Sequence, residues 1–189
     1  MKRRKFLIAP LLLASAGSLR AGEVNDEAAD AAPLENELEK YPRCVICNMD
    51  RRKFHYARHL LHYSDGHVQG ACSVHCAAEC MLRERRRGFK TIYAPDFAVN
   101  IDPKPLFEAS SGTYLIGSDL RGVMTPVSKV AFASREAALQ AKNTYGGELG
   151  SFSGAITASM AESANGLIRR YENDLERQRR RRSGAVTGG

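Results

Sequence analysis

The sequence has little that could span a membrane. Its apolar N-terminal stretch, FLIAPLLLASAGSL at residues 6–19, is 14 residues long, and a spanning helix needs about 20. No cysteine follows that stretch until Cys44, so a lipid-modified cysteine behind it has no support. The middle of the chain also lacks positive charge. The net +7 divides into +5 within residues 1–20, +4 within residues 169–189 and −2 between them. A nucleic-acid binder wants a basic face on its folded part, so nucleic acid is not expected as a partner. Most informative is where thiols and imidazoles are missing: no cysteine or histidine lies outside residues 44–80.

What is present begins with MKRRK, a basic segment ahead of the apolar stretch, with Ala21 or the small-residue run at residues 14–17 as a cleavage point. Residues 1–21 read as an export signal. Arg3-Arg4-Lys5-Phe6-Leu7 resembles the twin-arginine type, and an uncleaved membrane anchor is the lesser alternative. The expected location is periplasmic, an oxidising compartment where paired cysteines tend to oxidise. Five cysteines leave at least one thiol free or bound to something. The 189 residues, 43% apolar and 26% charged, suit one ordinary domain or two small ones.

Residues 22–40, rich in Ala and Glu and without an aromatic, read as a flexible acidic linker with at most a helical turn after Pro33. Ala57 to Tyr63 suits a strand, Ser64-Asp65-Gly66-His67 a tight turn, and Val68 to Cys72 the returning strand. Ser73 is placed to cap a helix from Val74 to about Arg87, stopped by Gly88, and Lys90 to Tyr93 resumes strand character. The same order returns further along. Thr113 to Ile116 and Val127 to Ala133 read as strands, Ser134 caps a helix through Tyr145, and Glu148 to Phe152 reads as a strand. The expected fold is α+β, with two tandem β-β-α-β units at 41–100 and 101–152. A C-terminal amphipathic helix with a basic tail is expected at 153–189. Its arginines read either as a solvated tail or as a contact for anionic lipid or a partner.

The chemistry is concentrated in the first unit. Cys44 and Cys47 form a C-x-x-C, which serves redox or metal roles. Redox motifs of this type sit at a helix start, and no helical pattern follows Cys47. Met49 adds a neutral, soft thioether, poor for Zn(II) and good for Cu(I). If Cys47-Asn48-Met49 is extended, both sulfurs point to one side. Cys72, Cys76 and Cys80 recur every four residues, which on a helix aligns them on one face. Cys76 falls in the first turn, and Cys80 reads as a buried apolar residue. Cys44, Cys47, Cys72 and Cys76 have the layout of a treble-clef zinc site, in which four thiolates hold Zn(II) structurally. His75 is the best-placed histidine. It makes no dyad with Cys76, because adjacent helical positions point about 100° apart. A thiol–disulfide oxidoreductase is the enzymatic alternative, and the preferred reading is a binding protein without catalysis.

Cys44-Val45-Ile46-Cys47-Asn48-Met49-Asp50, Tyr63-Ser64-Asp65-Gly66, Gly117-Ser118-Asp119, Gly122-Val123-Met124, Ala131-Phe132 and Tyr145-Gly146-Gly147 together resemble the NosL family, the accessory proteins of nitrous oxide reductase. The resemblance implies two β-β-α-β units related to the organomercurial lyase N-terminal fold. It also implies a Cu(I) chaperone outside the cytoplasm. Its partners would be a copper-receiving apo-enzyme, such as nitrous oxide reductase, and the proteins that assemble it. By the same resemblance Cys47 and Met49 are the first-choice ligands, with Met124 a third sulfur. Family members are commonly lipoproteins, and here the Cys72/Cys76/Cys80 series and the basic tail are additional.

Overall fold

A computed structural model describes residues 29–186, with backbone only for 183–186. The export signal expected at residues 1–21 lies outside the described residues. The first sheet has the order β2-β1-β3-β4, from β1 (His59–Tyr63), β2 (Val68–Ala71), β3 (Phe89–Pro95) and β4 (Leu106–Glu108). The second has the order β6-β5-β7, from β5 (Thr113–Ile116), β6 (Lys129–Phe132) and β7 (Glu148–Gly150). All pairings are antiparallel. Among the described residues four α-helices accompany them, α1 (Glu37–Lys40), α2 (Val74–Arg83), α3 (Arg135–Tyr145) and α4 (Phe152–Val186), with a short 3₁₀ turn at Ala109–Ser111.

The duplicated order is real in three dimensions. In each unit the first strand is central, its hairpin partner lies on one side, and the strand after the helix lies on the other. The helix caps repeat too. Ser73 and Ser134 are extended N-caps whose hydroxyls accept from the backbone N–H of Cys76 and Ala137, the third residue of each helix. β1 is buried along its whole length. Leu60, Leu61 and Tyr63 enter the core, and the strand is flanked by hydrogen-bonded neighbours on both edges.

Helix α2 packs against α4. The buried residues include small ones on both helices, Ala77 and Ala78 on α2 and Ala155 and Ser159 on α4, which lets helix axes approach closely. The two sheets are tied by Phe97, whose N–H donates to the Ala131 carbonyl at 3.0 Å, and by His59, whose Nε2 lies 3.0 Å from the Tyr114 hydroxyl.

Five expectations need correction. Helix α2 ends at Arg83, with Glu84 as its C-cap, short of Arg87 and the Gly88 stop. The described part of the acidic segment before Tyr41 is not a loose linker: Glu37 is buried and ion-paired to Arg51 at 2.9 Å and Arg58 at 2.6 Å. Its acidic character, which argued for solvation, instead places one carboxylate between two buried guanidinium groups. β4 joins the first sheet although it follows residue 100. Phe152 opens α4 rather than closing β7, because Ser151 Oγ accepts from the Gly154 N–H at 3.2 Å and starts the helix there. Cys47-Asn48-Met49, whose sulfurs would share a side if extended, belongs instead to a turn closed by hydrogen bonds between Cys44 and Met49 and between Cys44 and Asn48.

Candidate metal centre

Cys44 and Cys47 sit on a tight knuckle. The Cys44 N–H donates to the Met49 carbonyl at 2.9 Å, and the Asn48 N–H donates to the Cys44 carbonyl at 2.8 Å. Arg43 and Asp50 close the base as an isolated antiparallel bridge. The turn requires a left-handed residue at position 48, where Asn48 has φ 61°, and asparagine tolerates this region better than most side chains. The alternation argument for Cys47 and Met49 therefore does not hold. A hydrogen bond of 3.0 Å from the Val45 N–H to the Gly70 carbonyl fastens the knuckle to β2, two residues before Cys72.

Cys72 leaves the end of β2, and Ser73 turns the chain into α2. The cap brings Cys76 into the first helical turn, its N–H 3.5 Å from Ser73 Oγ. Knuckle, strand end and helix start thus converge. Cys47 Sγ lies 3.5 Å from Cys72 Sγ and 3.9 Å from Cys76 Sγ, and Cys72 Sγ lies 3.7 Å from Cys76 Sγ. With Cys44, all four sulfurs fall within 4.8 Å of one another. A tetrahedron with 2.3 Å metal–sulfur bonds has edges of about 3.8 Å, so the spacing fits one d¹⁰ ion between thiolates. All five cysteines are free thiols.

The electrostatics favour one thiolate in the metal-free cluster. Hydrogen bonds from Cys72 and Cys76 hold the Cys44 thiol far below its usual range. Cys72 and Cys76 are pushed up, chiefly by their link to Cys44. Beneath the knuckle the fully buried Arg51 donates to the carbonyls of Tyr41, Ala71 and His59 at 2.5, 3.2 and 3.1 Å. Its charge favours an anion at Cys44. Cys44, Cys72 and Cys76 are buried, while Cys47 is part-exposed. Cys47 is therefore the side from which the cluster is reached.

The structure brings together Cys44, Cys47, Cys72 and Cys76. Met49 is partly buried against the same core cluster of side chains. Met124 lies in the loop between β5 and β6, 44% exposed and left-handed at φ 70°. It lines a cavity with His75 and Glu79. The half-buried His75 has an Nδ1 without a hydrogen-bond partner. Cys80 is buried outside the group of four, and burial pushes its thiol up to about 12. The supports that sequence reasoning missed are Arg51, Arg58 and Glu37. Nothing in an acidic, alanine-rich segment marks which carboxylate will be buried.

A family model described as NosL matches residues 35–161. Among solved structures, the crystal structure of the copper chaperone NosL from Shewanella denitrificans is similar in fold. It shares 23% identity at a TM-score of 0.50, and the match covers 59% of this chain and 87% of that one. No curated protein matches the chain.

Proposed function

The chain belongs to the NosL family, and on that premise we propose that it is an exported Cu(I)-binding metallochaperone rather than an enzyme. Its ion would be cargo, taken up outside the cytoplasm and passed to a copper enzyme such as nitrous oxide reductase or to the proteins that assemble it. The observation that carries this reading is the asymmetry of the four-thiol cluster: three sulfurs are buried and Cys47 is part-exposed. Thiolates suit soft Cu(I). A ligand from a recipient can approach the ion at Cys47 before any buried sulfur lets go, so exchange proceeds without the bare ion entering water. No electron moves in this step; one Cu–S bond forms as another breaks.

In this reading Cys47 is the exchanging ligand, and Cys44, Cys72 and Cys76 hold the ion from below. Met49, packed against the same side chains as the cysteines, would be a soft donor as the coordination changes, and Met124, exposed on the loop between β5 and β6, a more distant one. The test is Cu(I) titration of reduced, anaerobic protein against a chromogenic competitor. Cys47→Ser is expected to weaken binding by at least about tenfold, as losing one strong ligand should, and Met49→Leu to weaken it less. Unchanged affinity in both variants would falsify the assignment.

A second reading is favoured by the sulfur separations, which match the edge of a zinc tetrathiolate. A structural zinc module arrives from purification with one zinc, unfolds on chelation and does not yield its site to Cu(I). Metal analysis followed by Cu(I)/Zn(II) competition separates the two.

A further inference from the structure

Helix α4 runs for 35 residues, about 50 Å at 1.5 Å per residue. Only its first half packs on the body, through Ala155 and Ser159, and an ion pair from Lys129 to Glu162 fastens it there. Beyond Gly166 the side chains through position 182 are exposed, apart from a half-buried Leu175. That projecting half is amphipathic. Leu167, Ile168, Tyr171 and Leu175 fall within an arc of about 100° at helical spacing, on roughly the opposite side from Ala155 and Ser159. Leu167, Ile168 and Tyr171 are 65%, 54% and 64% exposed, among the most exposed large apolar residues described. Residues 169–182 carry seven arginines against three acidic residues, and Arg179, Arg180, Arg181 and Arg182 stand together at the end.

We propose that this half-helix docks flat on an anionic phospholipid surface, with the apolar stripe in the acyl boundary and the arginines among the headgroup phosphates. Charge decides between the possible occupants. A second copy packed in parallel on the same stripe would set seven arginines beside seven more. An antiparallel copy would have an apolar seam of only about two turns, short of the three to four heptads a coiled coil uses. An anionic bilayer offers both an apolar layer and the opposite charge, the combination that holds an interfacial helix. No helix among the described residues is long and apolar enough to cross a membrane, so the helix lies on the surface instead. Docking would place the metal centre, which α2 carries against α4, close to the bilayer. The inference does not depend on which ion the cysteines bind.

The test is sedimentation of the full-length chain with vesicles of phosphatidylcholine alone and of phosphatidylcholine with phosphatidylglycerol. The anionic vesicles are expected to bind at least about tenfold more tightly, with binding weakened by salt. Replacing Arg179, Arg180, Arg181 and Arg182 by Gln, or Leu167, Ile168 and Tyr171 by Ser, is expected to lower that affinity by at least about tenfold. The N-terminal apolar stretch is common to all variants, so the differences report on the helix. The chain has no tryptophan, so Tyr171→Trp supplies a single reporter whose emission should shift to the blue on anionic vesicles only. Equal binding by all variants, or binding to neither vesicle, overturns the proposal. So does a dimer that the Leu167/Ile168/Tyr171 variant dissociates while vesicle binding is absent.

Discussion

His59 is fully buried between the two sheets, and its two ring nitrogens have different partners. Nδ1 lies 2.9 Å from the Ala57 carbonyl, which can only accept, and Nε2 lies 3.0 Å from the Tyr114 hydroxyl. The neutral ring with its proton on Nδ1 satisfies both, since Nε2 then accepts from the tyrosine O–H. A proton on Nε2 would remove that acceptor and bury a charge. Burial accordingly lowers the pKa to about 4, against about 6.5 for an unfolded histidine. Between these values the unfolded chain holds more protons than the folded one. The stability is therefore complete above about pH 6.5 and falls as the pH drops toward 4, by about 3 kcal/mol in all. Urea midpoints of reduced, metal-free protein at pH 7 and 4.5 should show this loss, and His59→Gln should flatten most of it. An acid limb as steep in the variant as in the parent would assign the effect to other groups.

The elements that form the metal centre are set by short-range chemistry. Ser73 and Ser134 occupy equivalent positions in the two units, but only α2 carries a ligand in its first turn. Each Ser→Ala change should cost about 1 kcal/mol of stability, the usual worth of such a cap. The pair separates stability from site geometry: Ser73→Ala should also weaken metal binding, and Ser134→Ala should leave it unchanged. Equal metal affinities in the two variants would show that the cap does not position Cys76. Both helices, their caps and most strands were legible in the sequence for this local reason. The knuckle was not, because its path depends on a left-handed Asn48 and on the hydrogen bond from Val45 to β2. Because Asn48 turns the chain, the alternation that an extended Cys47-Asn48-Met49 would give does not apply.

At the scale of the molecule, the knuckle rests on a buried ionic group. Arg51 and Arg58 are 0% and 3% exposed and share one carboxylate, that of Glu37. Removing the shared partner leaves two desolvated cations, so Glu37→Gln should destabilise the fold by about 3–5 kcal/mol. Because Arg51 also faces Cys44, the variant should lose metal affinity at temperatures where it is still folded. Thermal unfolding with and without metal measures both effects. A loss below about 1 kcal/mol, typical of an exposed pair, would mean that water reaches the guanidinium groups. None of this was legible beforehand, because Glu37 comes from a segment whose composition argues for solvation and is buried only through contacts made across the fold.

The sequence by itself determined the repeated α+β order, the Ser73 and Ser134 caps, and the confinement of cysteine and histidine to one unit, because propensity, capping and residue chemistry act over a few neighbours. The spacing also named Cys44, Cys47, Cys72 and Cys76 as one group and set Cys80 apart as a buried residue, as the structure has them; only the tertiary structure decided that Cys47 alone of the four is part-exposed and that Glu37 is buried against Arg51 beneath the knuckle. Those outcomes depend on how a knuckle, a strand end and a helix start pack together, and packing over such sequence distances leaves no periodic trace in the chain.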